Sequence, residues 1–122
     1  MVVTKLLASS SYCIYNKNIG KKLGPIASIM LSVLCDKFKY FKDSNQLTMI
    51  EMDFDGVMKE VPCFYYTRPS MTEETGILAD QQRAAEKRLI ESGIIKKKDC
   101  GMPKKNYYYI DEVALMRLLE QC

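Results

Sequence analysis

Residues 70–110, SMTEETGILADQQRAAEKRLIESGIIKKKDCGMPKKNYYYI, are cut by glycines into helix-like and strand-like pieces of defined length. Ser70 and Glu73 have the spacing of a capping box, in which each side chain accepts from the other's backbone N–H at a helix start. Gly76 closes that short helix, because glycine takes a left-handed cap without steric cost. Leu78, Gln82, Ala85 and Leu89 then recur at helical spacing. They predict a second helix over 78–92 with these side chains inward and Ile90 flanking them. Gly93 stops it. Ile94–Lys98 and Tyr107–Ile110 read as strands joined by the turn 99–106.

A short helix, a tight turn, a longer helix and a basic hairpin, in that order, form the pattern of a winged helix-turn-helix. The expected fold class is therefore α+β, mainly helical, in a single domain over residues 1–122. Two additions to that pattern are predicted, an extra N-terminal helical segment and an inserted β-hairpin at 47–66. Within the first, Ile26, Ile29, Met30, Val33, Leu34, Phe38 and Phe41 share one face of a helix over 25–42, with Pro25 in its first turn. A short helical turn over 18–23 precedes it and ends at Gly24. That apolar face is expected to pack against a final helix over 111–121, capped by Asp111. In the hairpin, two strand-like runs flank Asp55-Gly56, and Pro62 marks an edge or bulge.

Composition narrows the chemistry. There is no histidine, no CxxC pair and no Gly-rich phosphate loop. General acid–base catalysis most often uses histidine, and zinc sites need clustered Cys or His. The chain is therefore expected to be no enzyme and to hold no metal and no cofactor. Its scattered cysteines read as reduced thiols of a cytoplasmic protein. The N-terminal stretch MVVTKLLASSSYCIY is too short for a membrane span and is expected to be a strand or ordered arm.

Net charge is only +3, so its distribution matters more than its sum. Lysines and arginines gather over 79–110, while Glu51, Asp53, Asp55 and Glu60 gather in the hairpin. With Gln82, Ala85 and Leu89 inward, Gln81, Arg83, Lys87 and Arg88 lie on the outward face or its edges. Gln pairs with adenine and Arg with guanine, so Gln81 and Arg83 are candidates for reading bases. Lys87 and Arg88 are candidates for phosphates, as are Lys104 and Lys105 at the hairpin turn over 96–106. Lys96, Lys97 and Lys98 alternate faces and read as a solvated run. Tyr107 and Tyr109 share one face and Tyr108 the other, with strand packing as their first role and base stacking as a second. The apolar helix 25–42 and the C-terminal helix could together form a homodimer.

The run TEETGILADQQRAAEKRLIESGIIKKKDCGMPKKNYYYID resembles the N-terminal winged-helix domain of DnaD-like phage replication initiators, and is similar to plasmid RepA-type initiators. The shared pattern runs through Thr75-Gly76, Gln81-Gln82, Arg83, Leu89 and Ser92-Gly93-Ile94-Ile95. It ends with Gly101-x-Pro103-x-Lys105 and an aromatic strand. YNKNIGKKLGPIASIMLSVLCDKFKYF also looks like that family's opening helices. The resemblance implies double-stranded DNA binding in replication initiation, with contacts at Gln81, Arg83, Lys87, Lys104 and Lys105 and with replication proteins as further partners. Such initiators usually continue into a C-terminal domain. The chain is thus expected to be an isolated domain, a piece of a longer initiator or a small regulator. The residues alone also fit a transcriptional regulator of the same fold, or a protein–protein assembly module.

Overall fold

The computed structural model describes residues 13–121, so the N-terminal arm expected from the sequence lies almost wholly outside the described residues. Among the described residues five helices and four strands follow in the order α1 (Lys17–Leu23), α2 (Pro25–Asp43), β1 (Thr48–Phe54), β2 (Val57–Tyr65), α3 (Arg68–Thr75), α4 (Ala79–Glu91), β3 (Ile95–Cys100), β4 (Lys105–Ile110) and α5 (Glu112–Gln121). The fold is α+β, with an antiparallel sheet of order β1-β2-β4-β3.

α1 starts at Asn16, whose side chain accepts from Ile19 N–H at 3.0 Å. It stops at Gly24, where φ is +101° and a side chain would be strained. Pro25 then opens α2. Ala27, Met30, Leu31, Val33 and Leu34 of α2 are buried, and Ile26, Ile29, Phe38 and Phe41 pack beside them. The buried face is wider than the sequence stripe because α2 has α1, α4 and β2 around it. The last helix is only a minor partner of this core: α5 has no buried residue, and Leu115 and Leu118 pack against the core edge.

α3 begins earlier than the Ser70–Glu73 capping box implied. Thr67 is the cap: its Oγ1 accepts from Ser70 N–H at 3.2 Å. Pro69 explains the shift, because proline's fixed φ and missing N–H suit a first helical turn. Leu78 also departs from expectation. It is the extended residue ahead of α4 and is 61% exposed, and the neighbouring Ile77 takes the inward place.

The 47–66 hairpin forms around Asp55 and Gly56, both at positive φ, with Asp53 Oδ1 accepting from Gly56 N–H at 2.7 Å. It is not a separate insertion, however. Past Pro62, β2 pairs with β4 at Phe64↔Tyr108 and Tyr65↔Tyr107, which joins both hairpins into one sheet. The β3–β4 strands run to Cys100↔Lys105, further toward the turn than predicted.

Strand alternation divides the sheet into two faces. Phe64, Tyr108, Ile95 and Ile110 join the helical core. The other face carries a small second cluster of Ile50, Met52 and Cys63, with Phe54, Val61, Cys100, Tyr107 and Tyr109 against it. The sheet curls around this second cluster until its edge strands meet. Lys96 Nζ donates to the Asp53 carbonyl at 2.9 Å and Lys98 Nζ to the Glu51 carbonyl at 2.7 Å. Lysines two residues apart on β3 thus match carbonyls two residues apart on β1. Lys97, on the helical face, pairs with Glu86 at 3.0 Å. The run 96–98 is therefore a set of structural contacts rather than a solvated face.

Candidate nucleic-acid interface

The orientation of α4 is set by two polar groups on its inner face. Gln82 is 2% exposed, and its Nε2 donates to Arg68 O, Thr72 Oγ1 and Ile77 O at 3.1, 2.9 and 2.9 Å. One amide thereby holds the start of α3, its middle and the connection into α4. Thr72 Oγ1 also donates to Ile77 O at 2.7 Å, and Thr75 Oγ1 accepts from Ile77 N–H at 3.1 Å. The turn between the helices is fixed by side chains that satisfy its backbone, as buried polar groups require.

Glu86 is the second group, and the sequence reading missed it. It is 6% exposed and accepts from Lys97 Nζ at 3.0 Å, Tyr108 hydroxyl at 2.9 Å and Arg68 Nη2 at 3.4 Å. Burial, and then the Glu86 carboxylate, push the Tyr108 phenol above its usual range, so this hydroxyl stays a donor. The network ties α4 to α3 and to both strands of the β3–β4 hairpin. One signal was available. Position 86 lies between Gln82 and Leu89 on the inward face, where a carboxylate needs partners.

The candidate contacts are distributed unevenly. Arg83 and Lys87 are exposed one turn apart on the outer face of α4, as their spacing implied. Arg83 forms an ion pair with Asp80, and both are largely exposed. Gln81 is exposed, but its Oε1 accepts from Leu78 N–H at 3.0 Å and so caps its own helix; the amide nitrogen remains outward. Arg88 turns away from this group. Its Nη1 donates to Leu23 O at 3.1 Å, closing the C-terminal end of α1. A Cβ on Gly24 would stand 2.6 Å from that nitrogen, so the glycine also makes room for the arginine. Lys104 and Lys105 are exposed at the β3–β4 turn, with Lys105 Nζ 5.2 Å from the Tyr65 ring centroid. Arg83, Lys87 and the two turn lysines thus sit on elements that the Glu86 network holds together, while Arg88 belongs to the helical joint.

The remaining features carry less chemistry. A groove of about 900 Å³ between α2 and α3 is lined by Ile29, Val33, Asp36, Glu73 and Glu74, with Lys37 paired to Glu74 at 2.8 Å. Its acidic rim does not suit phosphate. Cys35 and Cys63 are pushed up to about 11 by burial, which keeps both protonated and weakly nucleophilic at neutral pH. Among the described residues no His/Cys/Asp/Glu group could hold a metal ion, and no helix is long and apolar enough to cross a membrane. No known protein family, curated protein or solved structure matches the chain.

Proposed function

We propose that the chain binds double-stranded DNA as a winged helix, with α4 as the recognition helix in the major groove and the β3–β4 turn as the wing beside it. The observation that carries this reading is the connectivity. Helix α2, strand β2, helices α3 and α4, and the hairpin β3–β4 follow in winged-helix order, and β2 lies against β4 as the first strand of such a fold does. The exposed cations of α4 and of the turn, Arg83, Lys87, Lys104 and Lys105, support it. Asp80 also has a role in this reading. It holds the Arg83 guanidinium at the N-terminal half of α4, the half that meets base edges.

The test is duplex binding by fluorescence anisotropy across a salt series. Each neutralised phosphate contributes about −0.9 to the slope of log affinity against log salt, so four cations give a slope of about −3.6. Arg83→Ala should cost about 1–3 kcal/mol at a preferred site and relax the choice of one base pair, whereas Lys104→Ala should weaken all duplexes alike. A flat salt response would remove the reading. Within it, replication initiation of the phage or plasmid kind follows from the residue pattern over 70–110, and transcriptional regulation would use the same contacts. A protein–protein assembly role is favoured by a different observation. The hairpin exposes Met49 and Met58 beside Glu51 and Glu60, which face each other across the strands although like charges repel there.

A further inference from the structure

The sheet face turned away from the helices has an unusual composition. By strand alternation it carries Lys59, Lys96, Lys98 and Lys105 together with Phe54, Tyr65, Tyr107 and Tyr109. No strand contributes an acidic side chain to it. Glu51, Asp53 and Glu60 point to the other side of the β1–β2 hairpin, and Asp99 shares the side of Tyr108. Lysines interleaved with aromatic rings, free of carboxylates, form a surface complementary to phosphates and flat bases.

The curl of the sheet covers this face unevenly. At the covered end Tyr109 meets Phe54 edge-on at 5.8 Å, and Lys96 lies 4.7 Å from the Phe54 centroid. At the other end, far from the Asp55-Gly56 turn, Tyr65 is exposed and Tyr107 is half-buried, with one side against the second cluster. Tyr65 is 39% exposed and stands directly opposite Tyr107, with centroids 6.2 Å apart. Lys105, two residues before Tyr107 on the same strand face, reaches over Tyr65, and Lys104 is exposed beside it. Lys98 is already committed to the Glu51 carbonyl, so Lys104 and Lys105 are the cations available there.

We infer that this open end is a binding site for single-stranded nucleic acid. Unpaired bases stack on Tyr65 and Tyr107, and the backbone phosphates meet Lys105 and Lys104. A duplex does not fit the same site, because its base faces are occupied by stacking within the helix. The site shares Lys104 and Lys105 with the proposed duplex contact but not α4, whose cations lie on the helical side of the sheet, so the α4 variants separate the two readings.

The experiment uses the full chain with fluorescein-labelled oligothymidylate and oligouridylate of about fifteen nucleotides, comparable to the site sizes of single-strand binding modules. Both should bind at low salt, and a strong preference for one would tell DNA from RNA. Loss of one stacking ring should weaken binding about five- to a hundredfold. Tyr65→Ala and Tyr107→Ala should both do so, while Tyr65→Phe and Tyr107→Phe stay within about twofold, since the ring remains. Lys105→Gln, which leaves both rings in place, should make the salt slope shallower by about 0.7. Arg83→Ala/Lys87→Ala should leave single-strand binding unchanged while weakening duplex binding. The inference is overturned if neither oligonucleotide binds at low salt. It is also overturned if the alanine variants bind as the native chain does, or if the α4 double variant loses single strands as well.

Discussion

At the scale of single residues, Glu86 ties α4 to α3, β3 and β4. A carboxylate removed from water is tolerated only when donors surround it, and Lys97, Tyr108 and Arg68 supply them. Glu86→Ala would leave the partly buried Lys97 and Arg68 without their counter-charge. The expected loss is about 3 kcal/mol of folding stability, measured by urea unfolding. A loss below about 1 kcal/mol, the usual range for a surface ion pair, would contradict the burial of this network. Helical periodicity made Gln82, Ala85 and Leu89 legible in the sequence. It also put Glu86 on the inward face, but a charged residue in a helix with as many acids as cations reads as solvent-facing until its partners on other elements are known. Leu78 misled for a simpler reason. An extended residue just before a helix is outside the rotation that defines the helix faces.

At the scale of elements, turn chemistry was the most readable part of the sequence. Asp55-Gly56 gave the hairpin turn, Gly76 (φ +79°) ended α3, and Asp111 Oδ1 caps α5 through Ala114 N–H at 3.0 Å. The joining of the two hairpins was not readable, because β2 and β4 share only two residue pairs and leave no periodic trace. The bonds from Lys96 and Lys98 to β1 were hidden as well, since a lysine run looks the same whether it meets water or a carbonyl. These bonds should matter for the hairpin more than for the core. Lys96→Ala/Lys98→Ala is expected to destabilise the fold by about 1–3 kcal/mol, with each hydrogen bond contributing about 0.5–1.5. Hydrogen exchange should show the effect as faster exchange at Ile50 and Met52 and little change at Leu89 and Ile94. Equal acceleration in both places would mean that the hairpin is not a separate unit of stability.

At the scale of the whole molecule, the apolar face of α2 is spent inside its own fold, which leaves the C-terminal helix, α5, of the two elements expected to form a homodimer. On α5, Val113, Met116 and Leu119 recur every three residues and are all exposed. Self-association through this stripe is the expected form of a dimer. Sedimentation should then show a mass that rises with concentration in the native chain and stays monomeric in Met116→Asp. A native chain that remains monomeric at every concentration would exclude it. The general shape of the fold was legible because burial demands regular patterns, whereas surfaces that meet partners obey no such period.

The curl of the sheet has a last consequence, for solubility. A strand at the rim of a sheet offers unpaired backbone groups to any other extended chain, which is how many proteins begin to aggregate. On β1 the carbonyls of Glu51 and Asp53 are already taken by lysines from the opposite rim. The β1 rim is therefore partly closed by side chains of the opposite strand, which leaves an extended neighbour fewer free carbonyls on which to add itself.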